Sequence, residues 1–176
     1  MTALKLEKLS TLIAEDTQPM RDLITAVLKK LGVGTIIPAN DGEEAFAAFC
    51  RFNPDIIITD WHMTPMSGID LVNHVRRSSA SPNRLVPVIM LTGYSAAARI
   101  TSSRDQGITE YLTKPFDAHN LIRKILHVIN APRDFVLNGS YFGPDRRRKK
   151  SAAYLGPFRR AADTPGKNPE MEGGGP

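Results

Sequence analysis

Over its first 130 residues the chain alternates short apolar runs with longer stretches in which apolar residues recur every three or four positions. The short runs fall at residues 9–14, 34–39, 55–59, 87–91 and 109–113, and each predicts a strand. The third is apolar without a break, as expected of a central strand covered on both faces. After the first run, Met20, Leu23, Ile24, Val27, Leu28 and Leu31 recur at helical spacing and predict a helix buried along one face. Pro19 suits its first turn and Gly32 its C′ position. Asp41 with Glu44 three residues on resembles a capping box, opening a helix that runs to Phe52. Asn53-Pro54 ends it, because a residue before proline is pushed away from helical dihedrals.

A third helix is expected over 68–77, and a last one over 117–130 with Leu121, Ile122, Ile125, Val128 and Ile129 inward. Between them, 95–106 predicts a helix anchored mainly by Ala97 and Ile100, held less firmly than its neighbours. Five repeated β-α units imply an α/β, doubly wound five-stranded parallel sheet with helices on both faces. Right-handed crossovers prune the alternatives, and a strand order of 2-1-3-4-5 sets the ends of the first and third strands side by side.

From about Pro132 the periodicity stops. Residues 131–176 therefore read as a separate basic tail rich in Gly, Pro and Arg, mostly disordered, following a domain over 1–130. The tail holds a short repeat, Tyr141-Phe142-Gly143-Pro144-Asp145-Arg146-Arg147 and then Tyr154-Leu155-Gly156-Pro157-Phe158-Arg159-Arg160. An offset of thirteen residues is too short for a solenoid unit, so the copies resemble two binding motifs on one flexible strand.

Charge follows the same division. Residues 1–130 carry fourteen Lys/Arg against thirteen Asp/Glu, and residues 131–176 carry nine against five, so most of the net +5 belongs to the tail. A hydrophobic content of 41% supports a real core. No run approaches the ~18 apolar residues of a membrane span. The first eight residues lack the apolar stretch and cleavage site of a signal peptide. The single cysteine, Cys50, excludes an internal disulfide and suits a reducing cytoplasm; beside Phe49 and Phe52 it is expected to be a buried structural thiol.

Polar residues follow four of the five apolar runs: Glu15-Asp16, Asp60, Thr92 and Lys114-Pro115. On a parallel sheet all of them reach its carboxyl edge, where open α/β sheets bind ligands. Three carboxylates, a hydroxyl and an ammonium there suit a divalent cation and a phosphoryl group. Magnesium prefers hard oxygen ligands, so Asp16 and Asp60 are its natural direct ligands, with Glu15 acting directly or through water. A carboxylate can also be a nucleophile that becomes an aspartyl phosphate.

In this setting the region from about Leu9 to Asn130 resembles the receiver domain of two-component response regulators, in the single-domain, chemotaxis-regulator-like form. The residues that carry the resemblance are Glu15-Asp16, Asp60, Met63 and Gly68 in the following loop, Thr92-Gly93, and Lys114-Pro115-Phe116. It implies a flavodoxin-like fold and a phosphoprotein of bacterial signal transduction that is not an enzyme beyond its own phosphorylation and dephosphorylation. It further implies that Asp60 accepts phosphate from a histidine kinase or histidine phosphotransfer protein, and that Mg²⁺ is bound by Asp16, Asp60 and the backbone carbonyl of His62. Thr92 and Lys114 would bind phosphoryl oxygens, Tyr111 would be the switch aromatic that turns inward as Thr92 moves, and the Lys114–Pro115 bond would be cis.

Three departures stand out. Glu15 replaces the commoner aspartate, Pro65 falls one place late in Met63-Thr64-Pro65-Met66-Ser67-Gly68, and His62 and Tyr94 lie two beyond the acceptor and the switch threonine. Tyr94 is expected to shield the phosphate and slow its loss. His62, His74, His119 and His127 lack ligand-like spacing, and Trp61, Met63 and Met66 read as loop packing.

Expected partners are thus a histidine kinase or histidine phosphotransfer protein and a downstream protein. The basic run Arg146, Arg147, Arg148, Lys149 and Lys150 adds nucleic acid or an anionic surface as a further candidate. The alternative function is a transcriptional or nucleic-acid regulator acting through this tail, although no helix-turn-helix or zinc-finger pattern fits there. A phosphatase of similar fold is disfavoured by His62, where such enzymes generally carry a second aspartate.

Overall fold

Seven strands, five of them in one sheet, and four α-helices are set out in the computed structural model, which describes residues 6–93, 107–138 and 141–145. A short 3-10 turn, Leu6–Lys8, leads into β1 (Ser10–Ala14), α1 (Gln18–Leu31), β2 (Thr35–Ala39), α2 (Gly42–Phe52), β3 (Ile56–Asp60), α3 (Gly68–Arg77), β4 (Val88–Gly93), β5 (Glu110–Lys114) and α4 (Ala118–Asn130). These five strands form one sheet in the order β2-β1-β3-β4-β5, all pairs parallel. The doubly wound 2-1-3-4-5 sheet expected from the sequence is therefore present, with strand bounds within two residues of those expected. The helix expected over 95–106, Tyr94, and the tail from Arg146 lie outside the described residues.

Alternate residues of the strands feed two cores, because successive side chains of a strand point to opposite faces. Leu12, Ile57, Val88 and Met90 pack with Phe49 of α2 and Leu71, Val72 and Val75 of α3 on one face. Ile13, Ile56, Ile58, Ile89 and Leu91 pack with Ile24 and Leu28 of α1 and Leu121, Ile125 and Val128 of α4 on the other. With both faces covered, the three central strands β1, β3 and β4 are buried almost throughout, while the edge strands β2 and β5 are not.

Helix ends follow their local chemistry. Gly32 closes α1 at φ 87°, a left-handed conformation that glycine adopts without a Cβ penalty. Asp41 Oδ1 accepts the backbone N–H groups of Glu43 and Glu44 at 2.8 and 2.9 Å. Glu44 reaches back to the backbone N–H of Asn40, one residue before the cap, rather than to the cap itself. Ser67 caps α3 and Asp117 caps α4.

Two expectations are corrected. Leu23 is exposed, and the buried face of α1 consists of Arg21, Ile24, Val27 and Leu28, with Met20 and Leu31 only partly covered. Cys50 is exposed rather than buried, since α2 turns Gly42, Ala45 and Phe49 inward and its next residue faces away. Its thiol donates to the Ala80 carbonyl at 3.6 Å, and the partial burial there raises its pKa. The chain beyond residue 131 also holds order that periodicity does not reveal. Phe135–Asn138 (β6) and Tyr141–Pro144 (β7) form an antiparallel hairpin.

The hairpin belongs to the same compact unit as the sheet, which extends to Asp145. An isolated two-stranded hairpin is marginal in water and needs a surface to pack on. Arg76 of α3 supplies it, its guanidinium 4.9 Å from the centre of the Phe135 ring, while within the hairpin the Phe135 and Phe142 rings lie 5.7 Å apart. Arg76 is almost fully buried and donates to the carbonyls of Gly107, Arg84 and Val86 at 3.0, 2.7 and 2.7 Å. Just before the hairpin, Arg133 pairs with Glu110 at the start of β5.

Candidate functional site

The register of the central strands assembles the candidate residues. Ala14 pairs with Thr59 and Asp60 with Leu91, so Glu15-Asp16, Asp60 and Thr92 emerge together at the carboxyl edge. Gly93 pairs with Lys114, which adds the ammonium from β5. Carboxylate oxygens of Glu15, Asp16 and Asp60 all lie within 4.8 Å of one another, the one such metal-capable group among the described residues. Glu15 is 1% exposed, Asp60 8%, and Asp16 lies open to solvent.

Lys114 Nζ bridges the cluster, at 2.9 Å from Glu15 Oε2 and 2.9 Å from Asp60 Oδ1. Burial alone would lower its pKa, but the hydrogen bonds and charges of Asp60 and Glu15 outweigh it and hold the ammonium above the usual lysine value. The second oxygen of Glu15 accepts the Thr17 backbone N–H at 3.2 Å, while Asp16 Oδ1 accepts the Thr17 hydroxyl at 3.2 Å. Hard carboxylate oxygens, one set open to water, suit Mg²⁺, which keeps several waters and takes one or two carboxylates. The donor set fits the ion.

The remaining candidates frame this pocket. Thr92 is fully buried, its hydroxyl donating to the Gly93 carbonyl at 3.3 Å. Tyr111 is half-buried against the core that lies on α2 and α3. His62 is exposed in the loop after Asp60, and the other three histidines are exposed as well. Trp61, Met63 and Met66 pack on the same core as Tyr111, as loop packing requires. The loop is tight: a Cβ on Gly68 would sit 1.9 Å from the Asp60 carbonyl, and Gly68 N–H donates to Trp61 at 3.1 Å. The Lys114–Pro115 peptide is cis, as the resemblance implies, and so is Thr64–Pro65 in the loop with the displaced proline.

Sequence reasoning misses one residue here. Arg21, buried in the first turns of α1, donates to the Glu15 backbone carbonyl and to Gln18 Oε1. The signal is present in the chain, since Arg21 shares helical spacing with Ile24 and Leu28 on the inward face.

A central parallel sheet with an acidic pocket and a lysine at its carboxyl edge defines a class of protein, and the comparisons agree with it. Residues 11–126 match the model of the response regulator receiver domain, and the chain belongs to that family. It is 30% identical over 125 residues to the chemotaxis protein CheY-3 of Vibrio cholerae serotype O1, covering 71% of this chain and 95% of that one. To the chemotaxis protein CheY of Pseudomonas aeruginosa it is 35% identical over 114 residues, covering 65% and 90%. The solved structure of the chemotaxis response regulator CheY4 of Vibrio cholerae superposes with a TM-score of 0.62 at 28% identity, covering 69% of this chain and 99% of that one.

Proposed function

We propose that this chain is a single-domain response regulator of a phosphorelay that accepts a phosphoryl group on Asp60. The observation that carries the proposal is the Lys114 ammonium held between Asp60 and Glu15 beside an acidic cluster of the right size for a cation. Family membership and likeness to chemotaxis regulators support it. Receiver domains of this kind interact with histidine kinases and downstream proteins, and the donor here is the phosphohistidine of a histidine kinase or of a histidine phosphotransfer protein.

An Asp60 carboxylate oxygen attacks the donor phosphorus, the P–N bond breaks, and the imidazole leaves with a proton. Asp16, Asp60, Glu15 and the backbone carbonyl of His62 are the groups that would hold Mg²⁺, and the ion supplies charge neutralisation at the phosphoryl oxygens. Lys114 and Thr92 take the remaining oxygens. Engagement of Thr92 frees the space into which Tyr111 turns, which biases two packings of the surface around β5. The chain thus works on no substrate other than its own aspartate. No described helix is long and apolar enough to cross a membrane, and a cytoplasmic site of action is part of the proposal.

The test is Mg²⁺-dependent phosphorylation by a small-molecule phosphodonor, followed on a phosphate-affinity gel. A retarded band is expected for the wild type and not for Asp60→Asn. Equal bands in both would overturn the assignment.

A further inference from the structure

Alone among the charged residues of α1, Arg21 is buried, at 8% exposure; Asp22, Lys29 and Lys30 are all exposed. A buried guanidinium is costly unless its donors are satisfied. Arg21 meets that need with carbonyl oxygens, one from the Glu15 main chain and one from the Gln18 side chain, and not with a carboxylate. Gln18 is itself anchored, its Nε2 donating to Asp22 Oδ1 at 2.7 Å. The Arg21 backbone N–H donates to Thr17 at 3.0 Å, so the turn between β1 and α1 is tied to the helix at two levels.

Glu15 is consequently pinned on every side. Its N–H donates to the Ala39 carbonyl at 3.2 Å, its carbonyl receives Arg21, and its two carboxylate oxygens receive Thr17 N–H and Lys114 Nζ. Asp16 follows directly. The planar fork of arginine can hold two oxygens at a fixed angle, which a lysine ammonium cannot do.

We propose that Arg21 is a positioning residue of the acidic pocket: its fork fixes the Glu15 peptide so that Glu15 reaches Lys114 and Asp16 faces Asp60. The inference rests on the reading of this pocket as a Mg²⁺ site. It makes a prediction opposite in sign to that of charge alone. A cation next to three carboxylates disfavours a second cation, so deleting its charge should tighten Mg²⁺ binding. Losing a positioning contact should weaken it, by about tenfold for groups that orient metal ligands.

The experiment titrates the full chain with Mg²⁺ alone, without phosphodonor, and reads the fluorescence of Trp61, the single tryptophan, adjacent to Asp60. Wild type, Arg21→Met, Arg21→Lys and Gln18→Ala are compared, each with its thermal melting curve. Arg21→Met and Arg21→Lys are expected to bind Mg²⁺ about tenfold more weakly, and Gln18→Ala several-fold more weakly through its freed guanidinium. Arg21→Lys keeps the charge, so binding equal to wild type would overturn the proposal. Tighter binding in Arg21→Met would also overturn it, leaving the charge as the only effect. If Arg21→Met does not fold, Arg21→Lys and Gln18→Ala decide the matter. A wild type that takes up no Mg²⁺ would overturn the metal reading instead, before any variant is compared.

Discussion

Lys114 Nζ stands 2.9 Å from Glu15 Oε2 and 2.9 Å from Asp60 Oδ1, so one ammonium ties the end of β5 to the ends of β1 and β3. Its raised pKa keeps it charged, and the stabilisation it brings is present below the ordinary lysine pKa and lost as pH rises through the folded value. Replacing it with methionine leaves three carboxylates within 4.8 Å without a counter-charge. Lys114→Met is expected to bind Mg²⁺ more tightly, on the order of tenfold, because the cation then relieves the repulsion by itself. Phosphorylation should slow in the same variant, since an oxygen partner for the phosphoryl group is gone. Magnesium titration by tryptophan fluorescence and a phosphorylation time course check the two halves separately.

Glu110 is buried at the start of β5 with Lys124 Nζ at 2.8 Å, Arg133 on its other oxygen and His127 at 3.6 Å. Burial alone would raise its pKa, yet Lys124 first and then Arg133 and His127 hold it below the usual carboxylate value. Its stabilisation is therefore present above the unfolded pKa of about 4.3 and is lost as pH falls through the folded value. Chemical denaturation across the acid range should show stability falling below about pH 4.5, with a shallower fall in Glu110→Gln. At neutral pH that variant should be less stable, having left Lys124 and Arg133 without their anion.

Gly107 enters β5 at φ 83°, a region that side chains rarely adopt, and a Cβ there would meet the Phe142 carbonyl at 2.9 Å and the Arg76 side chain at 3.0 Å. Gly107→Ala is expected to cost about 2 kcal/mol, from the left-handed backbone and from the displaced hairpin. Hydrogen exchange should locate the added opening at residues 135–144. Protection there that matched the wild type would mean that the hairpin is held independently of Gly107.

Gly68 has a different neighbour. The Asp60 carbonyl lies where its Cβ would go, at 1.9 Å, with Thr59 Oγ1 at 3.0 Å. Backbone cannot give way as a flexible side chain can, so Gly68→Ala should displace either α3 or the acceptor strand. Loss of phosphorylation together with a lower melting temperature is the expected result, and normal phosphorylation would show that the loop absorbs the change.

Much of the candidate site is legible in the amino-acid sequence, because its residues sit at the ends of predictable strands. The apolar run before Asp60 identifies a strand covered on both faces, and the runs before Glu15 and Thr92 do the same for its partners β1 and β4. Arg21 escapes a periodicity built on apolar residues alone, although its spacing to Ile24 and Leu28 is helical. The same restriction places Leu23 inward, where the helix in fact turns Arg21 and Ile24. The hairpin at 135–144 has a local signal, Asn138-Gly139 between the apolar runs Phe135–Leu137 and Tyr141-Phe142, which a count of β-α units passes over; what the chain does not display locally is its support, Arg76 of α3 behind Phe135, about sixty residues earlier.

What the sequence determined by itself is the set of elements, their parallel order and the chemical types gathered at one edge. The elements follow from short-range periodicity and from caps such as Asp41 and Gly32, while the order is narrowed by the handedness of crossovers and completed by the family resemblance. Tertiary structure alone decided which atoms pair. Lys114 could have met Asp60 only, yet strand register and the reach of a glutamate give it Glu15 as well. It also decided where the hairpin at 135–144 packs, since the buried Arg76 and a glycine without a Cβ, Gly107, supply the surface it needs. Such contacts join residues far apart in the chain, and their energies depend on geometry that no local pattern encodes.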